Sequence, residues 1–150
     1  MNKIASFTVN HDKITEGIYI SRIDGDIVTY DMRMRKPNMG DYIDNLTIHS
    51  LEHMFATYVR NSAIRDKVIY FGPMGCQTGF YLLVRDQSND VVLDIVKNVL
   101  SRIINHDGEI FGNTREECGN YRNLNLEAAQ IEAKKYLEIL NSKEVTFKYE

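Results

Sequence analysis

The chain has 150 residues, of which 43% are hydrophobic and 26% charged, with 18 basic side chains against 21 acidic ones. This length is enough for about one domain with a core of its own. The small negative net charge argues against nucleic acid or an anionic membrane surface as a partner. The first residues lack the apolar segment of a signal peptide, and no apolar run is long enough to span a membrane. We therefore expect a cytoplasmic protein.

A β-hairpin is predicted near the start of the chain. Residues 17–23 and 27–34 flank Asp24-Gly25-Asp26, a turn sequence in which glycine tolerates a positive φ. Apolar and polar residues alternate along the second strand, so one face of the sheet is expected to be buried and the other polar. Two more strands, at 67–71 and 80–85, are predicted on either side of a loop rich in Gly and Pro.

Helical spacing is found in three segments: 47 to about 65; 89–106, with Val92, Val96, Val99, Leu100 and Ile103 on one side; and 125–141, with Leu126, Ala133, Leu137 and Leu140. Asn89 and Asn125 are candidate N-caps. The order β, β, α, β, β, α, α has no alternating crossovers. It predicts a single α+β domain over residues 1–150, with a four-stranded, mainly antiparallel sheet packed against helices. The polar segment 107–120 is predicted to be a long loop, and long loops in compact domains are typically functional.

Two histidines and a glutamate lie close together in the first of these helices, in the segment "IHSLEHMFATYVRN" (48–61). The apolar residues Leu51, Phe55 and Val59 are expected to face the core. His49 and His53 are four residues apart, so both rings can reach one ion, and Glu52 lies near it. Such a pair can also occur by chance and face water, and the residues alone favour neither interpretation.

A third metal ligand would have to come from another part of the chain. Cys118, in the polar loop, is the natural candidate, because a thiolate suits zinc and other borderline divalent ions. Two histidines and one cysteine leave a coordination position open, as is typical of catalytic sites.

The second cysteine, Cys76, lies in "YFGPMGCQTGFYLL", between two predicted strands and among glycines. Glycines permit close backbone approach, so this loop can present a thiol at a fixed point. Near a divalent ion the thiolate would be favoured and could serve as an acid or base. The alternative is a buried structural cysteine, which is the commoner state of a cysteine between strands.

These segments together resemble one enzyme family. "SFTVNH", "YDMRMRKPN", "HSLEHMFATYVRN", "GPMGCQTGFYLL" and "ECGN" occur in this order and are similar to S-ribosylhomocysteine lyases, the LuxS enzymes of autoinducer-2 synthesis. The resemblance extends from about Ser6 to the last helix. It implies cleavage of S-ribosylhomocysteine to homocysteine and 4,5-dihydroxy-2,3-pentanedione, by successive carbonyl migrations and a β-elimination.

The resemblance also implies a role for each matching residue. The metal ligands would be His49, His53 and Cys118. The ion would be one divalent metal per subunit, Fe(II) natively, with zinc or cobalt able to substitute. Cys76 and Glu52 would carry out the proton transfers. Ser6, His11 and Arg33 would line the substrate pocket. Two chains would form a homodimer with the sites at their interface. Without the resemblance, His11 would be interpreted as a solvent-exposed residue.

The chain departs from the family pattern at a few positions. Ala5 and Asn10 replace acidic residues, Ser50 replaces Thr, Met54 replaces Leu, and Gln77 stands where many members have Arg. None of these changes removes a predicted metal ligand or proton-transfer group, so they bear on substrate affinity rather than on the type of reaction.

Two other functions remain open from the residues. The H-x-x-E-H pattern also marks peptidases in which the glutamate activates a metal-bound water, although their third ligand is normally a carboxylate. The chain could instead be a non-enzymatic module stabilised by a closed metal site, with Cys76 as the fourth ligand.

Overall fold

The structure, a computed structural model, describes residues 1–149. In chain order its elements are α1 (Ala5–Thr8), β1 (Gly17–Asp24), β2 (Ile27–Arg33), α2 (Asn45–Val59), β3 (Val68–Pro73), β4 (Gly79–Arg85), α3 (Asn89–Ile104) and α4 (Leu126–Asn141). The predicted order of strands and long helices is confirmed. The single turn α1 has no counterpart in the prediction.

The four strands form one antiparallel sheet in the order β1-β2-β4-β3, which confirms the predicted α+β class. Gly25 closes the β1–β2 hairpin with a φ of +62°. On β2, Asp31 lies opposite Tyr19 of β1 and Tyr81 of β4. Arg33 lies between two glycines, Gly17 and Gly79, so no neighbouring strand side chain crowds this position.

The three long helices cover one face of the sheet and share one hydrophobic core with it. The predicted stripe of α2, Leu51, Phe55 and Val59, is fully buried, and the Phe55 ring stacks on Phe71 of β3 at 4.4 Å. Burying a side chain of this size contributes about 1.5–3 kcal/mol. This packing fixes the rotation of α2 about its axis, and so determines where its polar residues lie.

The apolar positions predicted on α3 are all fully buried, namely Val92, Val96, Val99, Leu100 and Ile103. On α4 the prediction is confirmed in part. Ala133 and Leu140 are buried, but Leu126 and Leu137 are only partly buried.

Two helix boundaries differ from the prediction. α2 ends at Val59 rather than near residue 65, because the side chains of Asn61 and Ser62 donate to the carbonyls of Thr57 and Val59. Such local bonds compete with continuation of a helix.

The second difference is at the start of α3. Its N-cap is Ser88, whose hydroxyl accepts the N–H of Val91. Asn89 is already helical, and its amide oxygen accepts from the Tyr30 hydroxyl instead. The predicted cap of α4 is confirmed, since the Asn125 side chain accepts the N–H of Ala128.

The polar face of β2 is covered rather than exposed. Asp31 is 1% exposed and Arg33 2% exposed. Part of the cover is the C-terminal segment, in which the Phe147 carbonyl accepts the N–H of Ile20 and Tyr149 contacts Asp31. The alternation predicted a polar face correctly, but its burial depends on residues far away in the chain. Among residues 1–149, no helix combines the length and apolarity needed to cross a membrane.

Candidate functional site

The two histidines of α2 and the cysteine of the long loop lie together. The ligand atoms of His49, His53 and Cys118 are all within 4.8 Å of one another. Cys118 Sγ lies 3.3 Å from His49 Nε2. Nitrogen and sulfur ligands of one tetrahedral zinc ion are about 3.5 Å apart, given bond lengths of about 2.0 and 2.3 Å. The donor set and its spacing therefore fit a shared divalent ion.

Both imidazoles are oriented by backbone carbonyls. His49 Nδ1 lies 2.8 Å from the carbonyl oxygen of Asn123, and His53 Nδ1 lies 2.8 Å from that of Phe111. A carbonyl oxygen can only accept, so each Nδ1 carries the proton and donates it. Each Nε2 is then left with a free lone pair, which is the form of imidazole that binds a metal.

A glycine makes room for one of these rings. Gly112 has a φ of +70°, and a Cβ built on it would lie 2.8 Å from His53 Nδ1. Glycine is therefore required here both by the backbone conformation and by the position of the imidazole. The loop predicted at 107–120 supplies this glycine, the Phe111 carbonyl and Cys118, all of which lie at the candidate site.

A buried hydroxyl holds α2 against the segment that follows the loop. Ser50 donates to the carbonyl of Leu46 at 2.7 Å and accepts the N–H of Asn125 at 2.8 Å. Asn125 is two residues beyond Asn123, whose carbonyl orients His49. Ser50, which stands where the family pattern has threonine, therefore still supplies the hydroxyl that this contact needs.

Glu52 lies on α2 beside His53 in sequence and is half-buried. Within residues 1–149 its carboxylate forms neither a hydrogen bond nor an ion pair. Both of its oxygens are thus free to accept a proton from a ligand.

The other cysteine lies in a different polar cluster. Cys76 is exposed, so the alternative of a buried structural cysteine is wrong. Its Sγ lies 2.9 Å from the Thr78 hydroxyl, which also accepts from Arg33 Nη1 at 2.9 Å. A guanidinium can only donate and a thiolate can only accept, so when Cys76 is ionised the Thr78 hydroxyl oxygen accepts from Arg33 and its own proton is donated to the sulfur. This arrangement stabilises negative charge on Cys76.

The guanidinium of Arg33 is held from its other side by Asp31. The carboxylate accepts from Arg33 Nε at 3.1 Å and from Nη2 at 2.6 Å. Burial by itself would lower the pKa of Arg33, but the hydrogen bonds and charge of Asp31, together with the nearby Cys76, raise it. A fixed positive charge therefore lies close to the thiol.

The loop that carries Cys76 is attached to the start of α2. Gln77 has a φ of +64°, its side-chain amide donates to the Ile43 carbonyl at 3.1 Å, and its own carbonyl accepts the N–H of Ile43. Gln77, which stands where many family members have arginine, thus forms a structural contact of its own.

A cavity of about 510 Å³ opens beside the thiol. The residues predicted to bind substrate, Ser6, His11 and Arg33, all line it together with Cys76. His11 Nδ1 donates to the carbonyl of Val9 at 2.9 Å, which leaves Nε2 free to accept a hydrogen bond from a ligand. The size is within the range of small-molecule sites, and His11 lies at the cavity rather than on an open surface.

Three residues of this cluster were given no role in the sequence prediction: Asp31, Thr78 and Tyr81. Tyr81 lines the cavity, and burial together with the charge of Asp31 raises the pKa of its phenol. The alternation of β2 indicated Asp31 as a polar neighbour of Arg33. The short spacing in Cys76-Gln77-Thr78 was the available signal for the hydroxyl next to the thiol.

We call the group formed by His49, His53 and Cys118 the candidate metal cluster, and the cavity beside Cys76 the thiol cavity. The two remain separate within one chain. In the described part of the chain, the walls of the thiol cavity include none of the three candidate metal ligands and do not include Glu52. Cys76 also lies outside the group of donor atoms formed by His49, His53 and Cys118. The closed four-ligand site of a metal-stabilised binding module is therefore not formed.

Comparisons with known proteins agree on one family. A family model described as S-ribosylhomocysteinase (LuxS) matches residues 4–146. The S-ribosylhomocysteine lyase of Finegoldia magna is 44% identical over 147 residues, which cover 95% of this chain and 94% of that protein. That of Borreliella burgdorferi is 44% identical over 156 residues, or 99% of both chains. That of Clostridium acetobutylicum is 42% identical over 149 residues, or 95% of this chain and 94% of its own.

Proposed function

The chain belongs to the S-ribosylhomocysteinase (LuxS) family, and on this premise we propose that it is a metal-dependent carbon–sulfur lyase. It cleaves S-ribosylhomocysteine to homocysteine and 4,5-dihydroxy-2,3-pentanedione, the precursor of autoinducer-2. The proposal rests on two observed features. One is a group of three donor atoms, which would leave one coordination position of a four-coordinate ion open, and the other is a cavity with an exposed, hydrogen-bonded thiol.

We assign one divalent ion per chain to His49, His53 and Cys118. The oriented Nε2 atoms and the thiol, to which the N–H of Asn120 donates at 3.4 Å, support this assignment. When bound, the ion supplies Lewis acidity that polarises the substrate carbonyl. We propose Fe(II) as the native ion. The donor set itself suits several borderline divalent ions, zinc and cobalt included.

The chemistry of the substrate explains why two proton carriers are needed. The thioether is on C5 of the ribose, where no adjacent carbonyl makes the C–S bond labile. Moving the carbonyl from C1 to C2 and then to C3 requires that protons are removed next to a carbonyl and returned one carbon away. The thiol then leaves by β-elimination across C4 and C5. Acid–base groups of this kind each contribute about 10²–10⁴-fold.

Cys76 is assigned as one proton carrier. The Thr78 hydroxyl donates to its sulfur, and Arg33 provides a nearby positive charge, so the thiolate can form and accept a proton from a sugar carbon. Cys76 is exposed at the cavity, where such a sugar would lie.

Glu52 is assigned as the second carrier, because it is half-buried and precedes the proposed ligand His53 directly on α2. Ser6 and His11 line the cavity wall and are assigned to the hydroxyl groups of the sugar. The free Nε2 of His11 supports this role, since it can accept from a hydroxyl.

We further propose a homodimer in which the metal cluster of one chain lies beside the thiol cavity of the other. Each cluster is incomplete by itself, because the cavity has no metal ligand in its wall within the described residues. Phe7 and Tyr42, which line this cavity, are 65% and 45% exposed, as expected of side chains that a second chain would cover. The free thiols of Cys76 and Cys118 suit the reducing cytoplasm, which we propose as the compartment.

The assignment of the two cysteines is tested by a matched pair of variants. Cys76→Ala is expected to keep one metal ion per chain and to lose turnover at least about 10²-fold. Cys118→Ala is expected to lose the metal itself. Metal content is measured by elemental analysis and turnover by release of free thiol. Loss of metal in Cys76→Ala, or full metal affinity in Cys118→Ala, would contradict the assignment.

Mixing two inactive variants tests the shared site. In a mixed dimer of Cys76→Ala and His49→Ala chains, one site combines the intact metal cluster of the first chain with the intact thiol cavity of the second. The other site combines a defective metal cluster with a cavity that lacks the thiol. After exchange of subunits at equal amounts, about one quarter of the wild-type activity should return. If each site were contained in one chain, the mixture would stay inactive.

A further inference from the structure

A tyrosine outside the residues matched by the family model reaches the polar network of the thiol cavity. The model matches residues 4–146, and Tyr149 follows that range. The segment that carries it is anchored, because Phe147 is 7% exposed and packs edge-on against Tyr30 in the core. The Tyr149 ring stacks on Tyr19 of β1 with centroids 4.9 Å apart. Tyr149 is therefore held on the sheet.

The hydroxyl of Tyr149 is aimed at the carboxylate of Asp31. The distance from Tyr149 Oη to Asp31 Oδ2 is 2.6 Å, the same as that from Arg33 Nη2 to the same oxygen. Burial and the adjacent Asp31 carboxylate raise the pKa of the Tyr149 phenol, so the hydroxyl remains protonated at neutral pH and donates. The buried carboxylate is thus shared between Arg33 and Tyr149.

This bond completes a chain of hydrogen bonds that ends at the thiol. Tyr149 and Arg33 donate to Asp31, Arg33 donates to Thr78, and Thr78 donates to Cys76. With Cys76 as the thiolate each donor in it is fixed by chemistry, because a carboxylate and a thiolate only accept and a guanidinium only donates. The bonds that reach Asp31 therefore determine how the guanidinium is turned towards Thr78.

We propose that Tyr149 is a positioning residue for the reaction: its hydroxyl holds Asp31 and Arg33 in the orientation in which Thr78 donates to the Cys76 sulfur. Without that hydroxyl, Oδ2 of the almost fully buried Asp31 loses one of its donors. The Arg33 guanidinium is then free to move towards this oxygen. The bond to Thr78 at 2.9 Å is weakened, and with it the stabilisation of negative charge on the sulfur.

The role assigned to Tyr149 rests on the proposed lyase function, and Tyr149→Phe tests it, because this change keeps the stacked ring and removes only the hydroxyl. We expect kcat to fall about five- to tenfold, with KM within about twofold, because only part of the free energy of one hydrogen bond to a buried charge is passed on to the thiol. Alkylation of Cys76 by iodoacetamide, followed by peptide mass analysis in the metal-loaded protein, should slow by a similar factor. Metal content should not change.

The effect must also depend on Thr78. In a Thr78→Val background, adding Tyr149→Phe should lower kcat by less than about twofold, because the chain of bonds is already broken. A merely structural role for Tyr149 would give the same loss in both backgrounds, and that result would overturn the proposal.

Tyr19→Phe is the matched control. It removes a hydroxyl from the same stacked pair, but one whose partners are the hydroxyl and carbonyl of Thr15 and the carbonyl of Glu16 rather than Asp31. Wild-type kcat and alkylation rate are expected for it, and an equal loss in this control would overturn the proposal. So would an unchanged kcat in Tyr149→Phe. Failure of the wild-type protein to release thiol would instead refute the lyase function, while the alkylation rates would still test the role of Tyr149.

Discussion

Replacing Gly112 by alanine tests how the loop holds His53, one of the proposed metal ligands. The glycine has a φ of +70°, and alanine in this left-handed region costs about 1–2 kcal/mol. The new Cβ would also lie 2.8 Å from His53 Nδ1, so the ring has to move. Because that same nitrogen donates to the neighbouring Phe111 carbonyl at 2.8 Å, the movement breaks or distorts the bond that orients His53.

Loss of such an outer contact typically weakens metal binding about 10–100-fold. We therefore expect Gly112→Ala to raise the Kd for Co(II) or Zn(II) by about this factor, measured by competition with a chromophoric chelator. Gly25→Ala is the control, since Gly25 has a similar φ of +62° but open space around a built Cβ. It should lose a similar amount of stability and keep its metal affinity. An unchanged Kd in Gly112→Ala would refute the reasoning that the loop fixes the His53 ring.

Two further predictions concern the stability of the scaffold, measured by urea unfolding. Asp44→Ala removes the cap of α2 and should cost about 1 kcal/mol at pH 7, while Asp44→Asn keeps an acceptor and should cost less. The hydrogen bonds from Thr47 lower the pKa of Asp44, so the part of its contribution that depends on the negative charge is present above about pH 4 and is lost as the pH falls through the folded pKa. The protonated carboxyl keeps an acceptor, as asparagine does, so in strong acid the wild-type advantage over Asp44→Ala should shrink to that of Asp44→Asn; an advantage that did not shrink would contradict this. Glu132→Ala removes both hydrogen bonds from Arg35 to the buried Glu132 carboxylate. It should cost about 1.5–3 kcal/mol, because the Arg35 side chain is 12% exposed and keeps an ion pair with Asp41. The double change Arg35→Met with Glu132→Leu should cost less, and a double variant as unstable as the single one would refute the pairing argument.

The local pattern of α2 predicted most of what positions the two histidines proposed to bind the metal. The stripe of Leu51, Phe55 and Val59 is buried as predicted, and helical geometry alone puts His49 and His53 on a common side of it. What the pattern could not supply is the proton arrangement of the imidazoles. That depends on two carbonyls, those of Phe111 and Asn123, and any residue type can provide a carbonyl.

The thiol cavity was much less accessible to sequence reasoning. Its residues come from α1 and the turn after it, from β2 and the loop that follows it, and from the β3–β4 hairpin, and no spacing along the chain connects Ser6 or His11 with Cys76. Only the resemblance to a family brought them together in the prediction. The alternation of β2 identified Arg33 as polar, but its burial follows from cover by distant segments, including the one that ends with Tyr149.

The two helix boundaries that differ from the sequence prediction have local causes. Ser88 and Asn89 are both good capping residues, and the choice between them depends on the Tyr30 hydroxyl, which occupies the Asn89 side chain. The early end of α2 depends on side-chain bonds from Asn61 and Ser62, residues that also fit a helical surface.

The most direct test of the lyase function is the release of free thiol from S-ribosylhomocysteine. Anaerobically purified protein loaded with Fe(II) or Co(II) is incubated with the substrate, and thiol is followed with a colorimetric reagent against a metal-free control. We expect many equivalents of homocysteine thiol per chain from the loaded protein, with an equal amount of 4,5-dihydroxy-2,3-pentanedione, and almost none from the control. Thiol release no greater than that of the metal-free control would contradict the assignment of a metal-dependent carbon–sulfur lyase.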